Sequence, residues 1–145
     1  PRPVTTGSAT EPGEKPVATA KPPSGEGMSM SELLDKAGAA RRSGDYPTAR
    51  ELYERILRSN PTNVEANGGL GDVARATGDL ATAKTHYERA LASSPSYGPA
   101  QLGLADTEWD MGNRAGAQRR YAEIVARLGE RAPPRAKERG TAPSE

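Results

Sequence analysis

Apolar and small residues recur along this chain with two periods. The short one is helical. Ala49, Tyr53, Ile56 and Leu57 stand three and four apart, as do Ala83, Tyr87, Ala90 and Leu91. That spacing gathers side chains on one side of an α-helix. The long period is 34 residues, seen in Gly44, Gly78 and Gly112. Gly78-Asp79, Ala83, Tyr87, Ala90-Leu91 and Pro95 are preceded by Gly44-Asp45, Ala49, Tyr53, Ile56-Leu57 and Pro61. They are followed by Gly112-Asn113, Ala117, Tyr121 and Ile124-Val125, with Gly129 where proline would be. A fixed period of this size marks a helical-repeat solenoid. Three units fit without a gap: Met30–Asn63, Val64–Tyr97 and Gly98–Arg131.

Each unit is expected to hold two antiparallel helices. In the first, a helix runs from about Ser31, its cap, to Arg42, with Leu33, Leu34, Ala37 and Ala40 on its apolar side. Gly44 permits a left-handed stop. Asp45 caps a second helix that starts at Tyr46 or Pro47 and ends near Ser59, because Pro61 prevents continuation. In the second unit, the helix Val64–Thr77 carries Gly68, Gly69 and Gly71. Each glycine costs roughly 1 kcal/mol of helix stability relative to alanine. Gly71 suits a close approach of two helices, whereas Gly68 and Gly69 read as tolerated drift. The third unit's helices span about Pro99–Met111 and Arg114–Leu128.

The two ends differ from the repeats. Pro1–Gly27 is rich in proline and glycine, and Val4 and Val17 are its only sizeable aliphatic residues. It cannot bury enough surface to offset chain entropy, so it is expected to be a disordered, semi-extended linker. Pro133-Pro134 argues against a helix beyond the third unit, and 132–145 is expected to be a disordered tail. A solenoid normally needs a polar end. Without one, apolar surface at Ile124, Val125 and Leu128 is expected to lie bare, open to weak self-association.

Gly71, Gly78-Asp79, Ala83, Tyr87, Ala90 and Pro95 match, position for position, a small, Gly-Asp, small, aromatic, small, proline signature. That signature belongs to the tetratricopeptide repeat, which this chain resembles over about two-thirds of its length. The resemblance implies an all-α superhelix of three antiparallel helix pairs, from 28 to 131. Two residues depart from the family's pattern: Lys36 stands where leucine is usual, and Glu108 where an aromatic is common. The resemblance also implies that the first helix of each unit lines a concave groove, which captures an extended peptide or a helix of a partner protein. Carried over residue by residue, the groove positions are Leu34, Arg41 and Arg42, then Glu65, Asp72 and Arg75, then Leu102, Asp106, Trp109 and Asp110. Arg41, Arg75 and Trp109 share a register and form one ladder, with Asp72 and Asp106 in a second beside it. Trp109 is the expected apolar anchor; the alternative is that it packs between the helices of its own unit. Some members of the family clamp a C-terminal carboxylate with lysine and asparagine. Here those positions hold Leu34, Gly38, Gly68 and Asp72, so that activity is not expected.

Charge narrows the function further. Twenty basic against 19 acidic residues leave a net charge of +1, with no field that points to nucleic acid or a membrane surface. The absence of cysteine excludes disulfides and thiolate metal sites. No apolar run approaches the ~18 residues of a membrane span, and no signal-peptide pattern is present. The chain opens on Pro1 and reads as a piece of a longer protein; the cytoplasm is the expected compartment, the periplasm the alternative. His86, the only histidine, is expected to be exposed and silent. Gly68-Gly69-Leu70-Gly71 lacks the Lys-Ser/Thr of a phosphate loop. No cofactor, metal or catalytic set is expected. The sequence reads as a non-catalytic interaction scaffold that binds another protein. Its alternatives are a structural unit assembling through its C-terminal face, and the regulatory tail of a larger signalling protein.

Overall fold

A computed structural model describes residues 27–141. Apart from Gly27, the linker expected over Pro1–Gly27 lies outside the described residues, as do residues 142–145 of the expected tail. The elements are α1 (Met30–Ser43), α2 (Tyr46–Ser59), α3 (Val64–Ala76), α4 (Leu80–Ser93), α5 (Gly98–Asp110) and α6 (Arg114–Leu128), a 3-10 turn at Gly129–Arg131, and α7 (Pro134–Thr141). No strand occurs among the described residues.

Local signals set the helix ends. Ser29, rather than Ser31, caps α1. The reason is Glu32, three residues on: its amide donates to Ser29 Oγ at 3.2 Å, while the Ser29 amide donates to Glu32 Oε2 at 2.8 Å. This reciprocal capping box satisfies two helix-end donors at once. The same bonds hold the Glu32 carboxyl below its ordinary range. The second helix of every pair begins alike. Asp45 accepts from the Thr48 amide, Asp79 from Thr82 and Asn113 from Gly116, at 3.3, 3.2 and 3.1 Å. The preceding Gly44, Gly78 and Gly112 have φ of 81°, 86° and 86°, a left-handed turn that side chains disfavour.

Each helix packs on the next, and α1 on α3 and α3 on α5 pack as a row of first helices. Ala49, Ala83 and Ala117 are each fully buried, so the units stack in phase. Tyr53, Tyr87 and Tyr121 lie one per unit, at most 2% exposed. Their rings explain the glycines of α3. A Cβ on Gly69 would sit 2.2 Å from Tyr53 Cζ, one on Gly71 2.6 Å from Tyr87 Cε1, and one on Gly68 3.0 Å from Tyr97 Cε1. Gly68 and Gly69 are therefore not drift, because a tyrosine edge occupies the space a side chain would need. Gly103 repeats the role of Gly69, at 2.4 Å from Tyr87 Cζ.

The C-terminal end corrects the expectation of a disordered tail. Proline is tolerated at the first position of a helix, where its missing N–H has no intrahelical partner. Pro134 takes that place in α7, and Ala136 is buried against α6. Ile124 is only 4% exposed, and Val125 and Leu128 pack against the same cluster. The apolar strip expected to lie bare is therefore only partly exposed: Ile124 is buried, and Val125 and Leu128 are half-buried. His86 is likewise not free in solvent. It is half-buried, with Nδ1 3.2 Å from Oδ1 of the buried Asn67.

Candidate functional site

The face made by α1, α3 and α5 carries a repeating arrangement of three groups. The Tyr87 hydroxyl donates to Asp72 Oδ1 at 2.5 Å, and Arg41 pairs with Asp72 Oδ2 at 2.9 Å. One unit later, the Tyr121 hydroxyl donates to Asp106 Oδ1 at 2.5 Å, and Arg75 stands 3.8 Å from Asp106 Oδ2. Arg75 also donates through Nε and a terminal nitrogen to Asp110, at 3.1 and 2.9 Å. The arginine and aspartate ladders of this face therefore interlock: an arginine of one unit engages an aspartate of the next.

Burial sharpens these interactions. It acts to lower the pKa of Arg41 and of Arg75, but the opposing contacts outweigh it. Tyr53 and Asp72 raise Arg41, and Asp110 and Asp106 raise Arg75, above the ordinary guanidinium value. Burial, with the carboxylate it faces, pushes the Tyr121 phenol up to about 12, and Tyr87 rises for the same two reasons.

Leu34, Arg41, Arg42, Glu65 and Asp72 all line one cavity of about 150 Å³ between α1, α3 and the start of α5. Tyr97 and Pro99 complete its wall. Beside it lies a wider depression of about 470 Å³, which shares Arg41 and Asp72 and adds Arg75 and Asp110. Tyr97 is half-buried; its phenol is raised first by burial, then by the charges of Glu65 and Asp72.

The remaining expected groove residues lie elsewhere. Leu102 packs against the cluster of Ala105, Ala117, Tyr121, Ile124 and Ala136. Asp106 is 2% exposed, enclosed by α7: Arg135 donates through Nε to Oδ1 at 3.1 Å and pairs with Oδ2 at 2.8 Å, and Arg139 is 3.6 Å away. Trp109 is half-buried, with the Arg114 and Arg139 guanidiniums 4.1 and 4.6 Å from its ring centroid and Tyr121 edge-on at 6.2 Å. It is not an open anchor; α7 and α6 surround it. Glu108, in place of an aromatic, is 5% exposed and accepts from Arg120 Nε at 2.8 Å.

Tyr97, Arg135 and Arg139 were not singled out from the sequence. Tyr97 is the last residue of its unit, before the helix whose start it walls, and an aromatic there outside the core pattern was the available signal. Arg135 and Arg139 offered none, because Pro133-Pro134 stood against a helix.

These features define a class: a solenoid of antiparallel helix pairs with a polar face along its row of first helices. Two family models described as tetratricopeptide repeat match it, over residues 34–98 and 74–136. The chain belongs to the tetratricopeptide-repeat family, whose domains in general bind other proteins. Among solved structures, it is similar to the TPR domain of Sgt2 from Aspergillus fumigatus, with a TM-score of 0.67 and 21% identity over 79% of this chain and 85% of that one. That likeness bears on the fold. No curated protein matches the chain. Among the described residues, no group of histidines and carboxylates is arranged to hold a metal ion, and no helix is long and apolar enough to cross a membrane.

Proposed function

We propose that the face between α1, α3 and the start of α5 captures an extended peptide or a helix of a partner protein. One observation carries this reading: Leu34, Arg41, Arg42, Glu65 and Asp72, drawn from two helices, converge on one cavity with Tyr97. Cofactors and drug-sized ligands occupy about 300–1,000 Å³. A cavity of about 150 Å³ is the size of a side chain. The wider depression beside it offers room for the neighbouring residues of the same peptide. The groups present are suited to recognition: an aliphatic wall, a phenol, carboxylates and guanidiniums. Trp and Arg are over-represented among interface hot spots, and Tyr with them. Here Tyr97, Arg41 and Arg42 take those parts, in place of Trp109.

The test places a photo-reactive p-benzoylphenylalanine at Pro99, exposed in the wall of this cavity, or at Glu51, exposed on α2. The Pro99 probe is expected to form an adduct with a partner from native extract that the Glu51 probe does not form. Equal adducts at both positions, or adducts at Glu51 alone, count against the groove.

A further inference from the structure

The repeat allows two aspartates in matching places to be compared. Asp72 and Asp106 each accept a tyrosine hydroxyl at 2.5 Å and each face an arginine of the preceding unit. They differ in how near that arginine comes, 2.9 Å from Asp72 Oδ2 against 3.8 Å from Asp106 Oδ2, and in what else reaches them. The Asp106 side chain is 3% exposed, because Arg135 pairs with it at 2.8 Å and Arg139 stands 3.6 Å away. The Asp72 side chain is 34% exposed. The cause lies in the helix that follows each pair. Behind Asp106 comes α7, PRAKERGT, which brings Arg135 and Arg139. Behind Asp72 comes α5, GPAQLGLADTEWD, which has no basic residue. The fold thus displays, at its C-terminal end, an arginine seated on an aspartate of this type beside an aromatic ring.

The surroundings of Asp72 fit the same ligand. Three carboxylates, Asp35, Glu65 and Asp72, line the cavity against two guanidiniums, Arg41 and Arg42. Arg41 is already engaged by Asp72. The wall therefore carries one surplus negative charge. Tyr97 supplies an aromatic ring in the same wall, as Trp109 does under Arg139 at 4.6 Å. The upward shift of the Tyr97 phenol, caused first by burial and then by Glu65 and Asp72, reports the same negative surroundings.

We propose that this cavity receives an arginine side chain of the partner, its guanidinium held by the Asp72 and Glu65 carboxylates beside the Tyr97 ring. The inference rests on the reading of this face as a capture groove and adds the chemistry that the groove selects. Arginine fits better than lysine because its planar fork donates to carboxylates in pairs and stacks on aromatic rings.

The probe is Nα-acetylarginine amide, titrated into the chain while backbone amide resonances are followed. Saturable shifts are expected at Gly68, Gly69 and Tyr97, with at least threefold tighter binding than Nα-acetyllysine amide. Nα-acetylglutamate amide is expected to give no saturable shift there. Asp72→Asn should weaken the arginine probe at least fivefold. Glu65→Gln should weaken it at least twofold, and because Glu65 is exposed this variant keeps the test intact if loss of the Tyr87 bond unfolds the other. Equal binding of lysine, preferred binding of glutamate, or no saturable shift at these glycines overturns the assignment. If the Pro99 photo-probe captures a partner while the arginine probe leaves Gly68 and Gly69 unmoved, the groove stands and its arginine specificity falls. If the arginine probe binds but no adduct forms, the seat stands and the capture of a protein partner falls.

Discussion

Three tyrosines, Tyr53, Tyr87 and Tyr121, organise the packing, and Tyr53 and Tyr87 lie where neighbouring helices have given up side chains. Gly69 faces the Tyr53 ring, and Gly71 and Gly103 face the Tyr87 ring. A glycine inside a helix sacrifices backbone entropy. What it permits is an aromatic edge in contact with backbone, and burial of a ring returns several times the cost. The substitution Gly69→Ala tests this balance. Helix propensity alone favours alanine by roughly 1 kcal/mol. The new Cβ would meet the Tyr53 ring at 2.2 Å, and overpacking of this kind typically costs about 1–3 kcal/mol. Net destabilisation of up to about 2 kcal/mol is expected in urea denaturation. A stabilised variant would show that the ring moves aside freely. The glycines themselves were plain in the sequence, but the reason for Gly68 and Gly69 was not. Their partners, Tyr97 and Tyr53, are 29 and 16 residues away and leave no mark in the local pattern.

Among the elements, α7 departs most from what the chain's pattern suggests. It is eight residues long, and Ala136 is its buried residue. So short a helix is unstable alone. It is held by Arg135 on Asp106, by Arg139 on the Tyr121 hydroxyl at 2.8 Å and over Trp109, and by Lys137 on the Glu130 carbonyl at 2.8 Å. Pro133-Pro134 looked like a terminator because proline ends helices from within; at a first turn it begins one. Removal of residues 132–145 strips Asp106 of Arg135 and uncovers part of the cluster around Tyr121 and Ile124. Asp106 keeps the Tyr121 hydroxyl and Arg75 at 3.8 Å, so the cost falls below the about 3–5 kcal/mol of a buried charge left with no partner. The truncated chain is therefore expected to unfold at lower temperature. The emission of Trp109, the one tryptophan, should shift to the red as Arg139 leaves its ring. Unchanged emission and melting would show that α7 contributes nothing to the third pair.

Over the whole molecule, the polar face couples stability to pH. Tyr121 is held at about 12 and Tyr87 is raised as well, against an ordinary 10.0. A raised folded-state pKa means that the folded chain keeps a proton the unfolded chain has lost. This contribution is complete below the ordinary tyrosine pKa and declines as pH rises from about 10 toward the folded-state value. Each buried tyrosine should remove about 1.4 kcal/mol per pH unit in that window. Urea midpoints measured at pH 9, 10 and 11 are expected to hold between the first two and fall after, with the ring-carbon resonances of Tyr87 and Tyr121 reporting phenolate only as the chain unfolds. Ionisation of Tyr87 or Tyr121 well before unfolding would contradict the seating of their hydroxyls on Asp72 and Asp106.

The sequence by itself determined the helix pairs, their phase and most of their ends. Those features depend on residues three to four apart, on caps beside the helices they begin, and on a 34-residue period that repeats the same local instructions. The expectation that Leu34, Arg41, Arg42, Glu65 and Asp72 share one face comes from the resemblance to the repeat family; in the structure these five line one cavity. Only the tertiary structure decided how that face is divided. Arg135 and Asp106 are 29 residues apart, Arg139 and Tyr121 18, and each pair meets once, outside the repeat. Because nothing periodic or local announces such contacts, the burial of Asp106, the enclosure of Trp109 and the openness of Asp72 follow from packing alone.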